Sequence, residues 1–161
     1  MPVLYFSWKY WTWTLGAGYD PTPPEKALQL LALAGLKEND VLYDLGCGDG
    51  RLLVLAARKY GAHAVGIEAD PLRWLMALRN VRKAGLQDLV TVRLGNFFKR
   101  SVAEATVVSL YLYPPVNRKL KGKFTNELRK GTRIVSYSWA IEGWEDEGTR
   151  SGDGLYLYII R

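Results

Sequence analysis

The stretch Val41-Leu42-Tyr43-Asp44-Leu45-Gly46-Cys47-Gly48-Asp49-Gly50 reads as a short apolar strand that empties into a glycine-rich loop. Valine, leucine and tyrosine suit a buried pleated segment. Glycines alternating at 46, 48 and 50 permit a sharp turn and let the backbone approach a bound molecule with no side chain in the way. Residues 51–60 read as a helix that Gly61 ends, so the loop joins a strand to a helix.

Outward from this loop, strand and helix alternate. Upstream, Thr22-Pro23-Pro24-Glu25 reads as a helix start, with Thr22 as cap, Pro23 at the first helical position and Glu25 completing a capping box. Leu28 and Leu31 give that helix an apolar face, and Gly35 stops it. Downstream, strands are predicted over 64–68, 90–94, 106–113, 133–139 and 155–160, with helices over 71–84 and 117–129. Strands separated by helices and joined by right-handed crossovers predict an α/β fold. It is a doubly wound, mostly parallel, Rossmann-like sheet with helices on both faces and an antiparallel C-terminal strand. No repeat or linker divides the 161 residues, so one domain over 1–161 is expected. Its aromatic segment 1–21 is expected to lie over the pocket at the glycine loop.

Hydrophobic residues make up 48% of the chain and charged residues 24%, the profile of a soluble globular protein. The lone Cys47 has no partner for an internal disulfide, so a cytoplasmic location is expected. No stretch reaches the ~18 apolar residues of a membrane span. Trp8, Trp11 and Trp13 read as packing on the domain or closing a pocket, with a bilayer contact as the other reading. The net charge of +6 and pI near 9.4 keep nucleic acid among the partners. The only dense basic group, Arg118, Lys119, Lys121 and Lys123, is equally an ordinary solvated helix face. No metal-ligand cluster occurs, so no metal is expected, and the single histidine, His63, reads as a surface residue. The chain is expected to be a monomer.

The chemistry sits at the strand ends. Asp44 closes the first strand and Glu68 the second, about 18 residues after Gly50. A carboxylate at the second position can grip both hydroxyls of an adenosine ribose, and one at the first can face a positively charged amino group. A nicotinamide site has the spacing G-x-G-x-x-G, which sets a helix N-terminus against a pyrophosphate. Here the glycines Gly46 and Gly48 alternate and an acid precedes them, which suits S-adenosyl-L-methionine, a cofactor without phosphate. Asn96, after the third strand, can supply an amide to the adenine edge and Phe97 an apolar surface for the ring. Tyr111 and Tyr113, two apart after the fourth strand, fall on one face and are candidate catalytic residues shaping a channel for an incoming amine. Whether one of them is instead core stays open. The acidic run Glu142, Glu145, Asp146 and Glu147 is either a substrate-attracting loop or a solvated hairpin tip.

From residue 41 onward the chain resembles class I methyltransferases. Three segments carry a narrower resemblance: Tyr19-Asp20-Pro21-Thr22-Pro23, Asp44-Leu45-Gly46-Cys47-Gly48-Asp49-Gly50-Arg51 and Val65-Gly66-Ile67-Glu68. They are similar to the small archaeal protein-lysine methyltransferases related to the mitochondrial enzyme that methylates subunit c of ATP synthase. The resemblance implies that Asp44, Gly46 and Glu68 hold the cofactor and that Tyr19 and Thr22 close over its methionine end. It also implies protein substrates bearing accessible lysines; the membrane-anchoring segment that the mitochondrial relatives carry is not expected here. Tyr113-Pro114-Pro115 stands where methyltransferases acting on nucleic acid or glutamine usually have Asn or Asp before two prolines, which disfavours a base as substrate. The alternatives are an RNA or tRNA methyltransferase and a non-catalytic module that binds adenosyl ligands.

Overall fold

The structure, a computed structural model, describes residues 20–144 and 148–161. Two prolines set where its first helix begins. A residue that precedes proline is kept out of the helical region, and Pro23 is accordingly extended, at φ −56° and ψ 142°. Pro24 then supplies the preset φ of a first helical residue. Helix α1 (Pro24–Leu33) therefore starts one residue later than expected, with Pro23 at the cap and no side-chain cap. Thr22 is freed for another use.

The chain continues through β1 (Val41–Leu45), α2 (Arg51–Tyr60), β2 (His63–Glu68), α3 (Pro71–Ala84) and β3 (Val90–Leu94). After β4 (Val107–Leu110) come α4 (Pro114–Glu127), β5 (Arg133–Tyr137), β6 (Thr149–Ser151) and β7 (Leu155–Ile159). They form one seven-stranded sheet in the order β3-β2-β1-β4-β5-β7-β6. The first five strands run parallel, while β7 is antiparallel to β5 and β6 antiparallel to β7. This is the α/β, doubly wound, Rossmann-like sheet expected, with the antiparallel C-terminal strand in place. His63 opens β2 and is exposed.

Several boundaries differ from the sequence expectation, and three of them have a plain cause. Strand β4 stops at Leu110 instead of 113, level with the end of its neighbour β1, whose last residue Leu45 pairs with Leu110. Helix α4 begins at Pro114, three residues early, since consecutive prolines are accepted in the first turn, where N–H groups lack helical partners. Strand β5 ends at Tyr137, and Ser138 follows with φ +65°, incompatible with a continuing strand. The three-residue β6 had no period-two signal to announce it.

Each side of the sheet buries its own core. Ala27, Leu30 and Leu31 of α1, Leu53 and Ala56 of α2, and Ala77 and Val81 of α3 pack on one face. Val116, Leu120 and Phe124 of α4 cover the other, together with Phe97, Val102 and Trp144. Central strand β1 feeds both, Leu42 to the first and Tyr43 and Leu45 to the second, as expected of a parallel strand covered on two sides. At the amino ends of the strands, the Arg133 guanidinium pairs with Asp40 and also donates to the carbonyls of Ala34 and Gly35 at 2.7 and 2.9 Å. That network ties the end of α1 to the sheet. The carboxyl ends are left open for binding, and the strand order reverses between β1 and β4, where doubly wound sheets place their ligands.

Candidate active site

A cavity opens at this switch point. Its floor is the glycine loop, whose three glycines all lie at positive φ: 80° at Gly46, 55° at Gly48 and 77° at Gly50. Only glycine takes up such a run without strain. Four of the loop's amides are spent within the protein. Gly46 and Cys47 N–H donate to the Ile67 carbonyl at 2.9 and 3.2 Å, and Gly50 N–H to the Cys47 carbonyl at 2.9 Å. Gly48 N–H donates to Glu68 Oε2 at 2.8 Å. A pyrophosphate needs such amides free and pointed at it, so this loop is built for a ligand without phosphate.

The loop can lie so close to β2 because of Gly66. A Cβ there would sit 2.5 Å from Cys47 Sγ and from Leu53 Cδ1. Cys47 is correspondingly buried, and burial pushes its thiol well above the usual range, which makes it a packing residue and not a nucleophile. The sequence signalled Gly66 only as part of Val65-Gly66-Ile67-Glu68. Its contact with the loop is visible only in three dimensions.

Carboxylates ring the cavity. Glu68, 6% exposed, accepts from Gly48 N–H with one oxygen and from Asp70 N–H with the other at 2.9 Å. Those two bonds fix its plane, and an ionised carboxylate keeps further lone pairs for ligand hydroxyls. Asp44, the penultimate residue of β1, accepts a 2.7 Å hydrogen bond from the Ser109 hydroxyl on β4. Burial raises its pKa, the Ser109 bond pulls it back, and the nearby charges of Glu68 and Asp49 push it up again, leaving it at about 7. A cation placed beside Asp44 would relieve this. Burial also pushes Asp49 up, but Arg51, through its side chain and its N–H, holds that carboxyl below the usual range. Asp70 caps α3 by accepting from Leu72 and Arg73 N–H.

Of the residues singled out in the sequence, Thr22, Asp44, Gly46 and Gly48 line this cavity, as do Glu68, Phe97 and Tyr111. Asn96 does not: its Oδ1 accepts from Phe98 N–H at 2.8 Å, holding the turn that presents Phe97. Tyr19 and the aromatic segment up to it lie outside the described residues, as do Glu145, Asp146 and Glu147 of the acidic run. Glu142 is described and pairs with Arg118 at 3.2 Å, with both side chains exposed. Among the described residues no group of His, Cys, Asp and Glu could hold a metal ion. No helix among them is long and apolar enough to cross a membrane.

A second cavity adjoins the first, sharing Asp20, Tyr111 and Leu112 with it. Tyr113, Ser138 and Trp139 complete its walls. Tyr111 donates to Asp20 Oδ2 at 2.6 Å and packs with its ring centroid 4.6 Å from that of Tyr137. Burial, reinforced by Asp20, drives its phenol up to about 12, so it keeps its proton at neutral pH. Sequence reasoning missed Asp20, Ser138 and Trp139 as site residues. Asp20 stood in a quoted segment, but nothing in the order of residues announced that the three segments meet.

The cavity has the features that S-adenosylmethionine requires: a phosphate-free floor, a buried anion raised for want of a cation, a fixed carboxylate, and an apolar wall at Phe97. Residues 44–148 match the ANTKMT methyltransferase domain. The chain is 40% identical over 149 residues to a protein-lysine N-methyltransferase of Saccharolobus islandicus, with 88% of this chain and 92% of that protein covered. It is 36% identical over 127 residues to the adenine nucleotide translocase lysine N-methyltransferase of Mus musculus, covering 74% of this chain but only 53% of that longer protein. Among solved structures it aligns, at TM-score 0.84 and 44% identity, with an RNA methyltransferase from Salinibacter ruber in complex with S-adenosyl-L-homocysteine. That alignment covers 88% of this chain and 94% of the other. Loop chemistry, sheet order and these likenesses agree: the chain belongs to the ANTKMT methyltransferase family and is a class I enzyme that uses S-adenosylmethionine.

Proposed function

We propose that this enzyme is a protein-lysine N-methyltransferase. The observation that carries the reading is the second cavity, an aromatic passage of Tyr111, Tyr113 and Trp139 that meets the cofactor cavity at Leu112. It suits the narrow, flexible stem of an alkylamine. The relatives named as lysine methyltransferases support the same acceptor.

When bound, S-adenosylmethionine supplies an electrophilic methyl group on a sulfonium. Asp44 would pair with the cofactor's amino group, Glu68 would accept from the ribose hydroxyls, and Phe97 would give the base an apolar wall. Gly46 and Gly48 would let backbone pass beneath it, and Thr22 would stand at its methionine end. Asn96 acts through the turn it holds. A lysine reacts only as the neutral amine, against an unperturbed pKa of ~10.4. Desolvation among the rings of Tyr113 and Trp139 lowers that value. Tyr111 and Tyr113 orient the amine; with its pKa near 12, Tyr111 is a donor and not the base. Positioning supplies the catalysis.

RNA is the second reading, favoured by the net charge of +6 and by the Salinibacter ruber structure's description as an RNA methyltransferase. Labelled methyl transfer to separate protein, RNA and metabolite pools tests both. Label on lysine ε-amines of protein is expected, and label confined to RNA would overturn the proposal.

A further inference from the structure

Asp20 sits where the two cavities meet and lines both. One carboxylate oxygen is held by the Tyr111 hydroxyl at 2.6 Å, and the Tyr111 ring is itself packed against Tyr137. Among the described residues no Lys or Arg forms an ion pair with Asp20, and no donor hydrogen-bonds its other oxygen. Beside it, the rings of Tyr113 and Trp139 pack as a tilted pair with centroids 6.3 Å apart. Trp139 is set in place by an unusual piece of backbone. Ser138 is non-glycine at φ +65°, its N–H donates to the Gly154 carbonyl at 2.8 Å, and the Ser136 hydroxyl donates to the Trp139 carbonyl at 2.5 Å. Such a conformation persists only where its surroundings enforce it, and it gathers at functional sites.

A fixed carboxylate and two aromatic faces share one preference. Both attract a cation, and the carboxylate repels an anionic acceptor. We propose that Asp20 is the specificity-determining residue of the acceptor passage: held by Tyr111, it receives the ammonium of the incoming alkylamine at the threshold between the two cavities. The proposal rests on the lysine reading and adds to it the residue that reads the charge. It carries a kinetic consequence. An amine beside a carboxylate holds its proton more tightly, so Asp20 gains affinity for the acceptor while moving the rising limb of the rate against pH to higher pH.

The test compares an amide-capped lysine peptide with its norleucine counterpart on the full chain loaded with S-adenosylhomocysteine. The parent should bind the lysine peptide at least about tenfold more tightly, the range of a hydrogen bond to a charged group. Asp20→Asn keeps the shape and an acceptor for Tyr111, and should reduce the preference to below about twofold. In the methylation assay the same variant should raise KM for the lysine peptide about tenfold and move the rising limb of kcat to lower pH, with Asp20→Glu restoring part of both. Cofactor affinity should stay within about twofold of the parent. Undiminished discrimination by Asp20→Asn would overturn the proposal, and so would a parallel loss of cofactor affinity, which would assign Asp20 to the cofactor half. A parent that fails to tell the two peptides apart would overturn the lysine reading itself.

Discussion

The two halves of the site are built by different means. The floor of the cofactor half comes from one continuous stretch, 44–70, in which backbone does most of the shaping, and Thr22 and Phe97 are added to it from elsewhere in the chain. Three glycines turn the loop, its amides are spent on Ile67, Cys47 and Glu68, and two carboxylates are held nearly out of water. The acceptor half is assembled from three separated segments, at 20, 111–113 and 138–139, and side chains make its walls. Tyr113 and Trp139 are 42% and 40% exposed, against 9% for Asp44 and 6% for Glu68. A cofactor shared across a family is met by a rigid, chain-local cradle, whereas the acceptor, which varies, is met by rings that can be exchanged one at a time without disturbing the cradle.

If the cofactor half stores the cost of a buried anion, removing that anion should stabilise the empty protein. The folded chain holds Asp44 at about 7, against an ordinary 3.8, so it retains a proton that the unfolded chain releases between those values. The burden is absent below the lower value, grows as pH rises through the interval and is constant above pH ~7. Asp44→Asn should therefore raise stability by ~2–4 kcal/mol at pH 8 and change it little near pH 4, read by denaturant unfolding at both. No gain at pH 8 would erase this contrast between the halves.

A smaller effect sharpens the same contrast. Glu68→Ala removes the acceptor of Gly48 and Asp70 N–H as well as the ribose partner, and should weaken S-adenosylmethionine binding by ~1.5–3 kcal/mol. Calorimetry on a folded variant with parental affinity would detach Glu68 from the cofactor.

Much of the cofactor half was legible in the sequence because its signals are local. Asp44, the glycines at 46, 48 and 50, and Glu68 follow from one strand, one turn and the end of the next strand, and all but Gly50 line the cavity. Sheet class was legible for a similar reason, since helices and strands alternate along the chain. Boundaries were not, where neighbours rather than residues decide them. Tyr111 to Tyr113 have strand composition, yet β4 stops at Leu110, level with the end of β1. Asn96 was readable as a polar group near the adenine side, but a backbone amide two residues away takes its oxygen. Asp20, Ser138 and Trp139 are remote from one another in sequence, and only the fold brings them to one passage. Ser138 in particular carries no sequence signal for its positive φ, because serine is not a residue that favours it.

The central claim is that the cofactor cavity is tuned by charge, with Asp44 waiting for a cation. Calorimetric titration of S-adenosylmethionine between pH 6 and pH 8 tests it most directly. Asp44 must be ionised to pair with the cofactor's amino group, and it carries its proton on the acid side of about 7. Affinity is predicted to be about tenfold weaker at pH 6 than at pH 8, with a proton released to buffer on binding at the lower pH. In Asp44→Asn, binding should be weak and flat across the range. Parental affinity that is independent of pH, or that strengthens toward acid, would contradict the account.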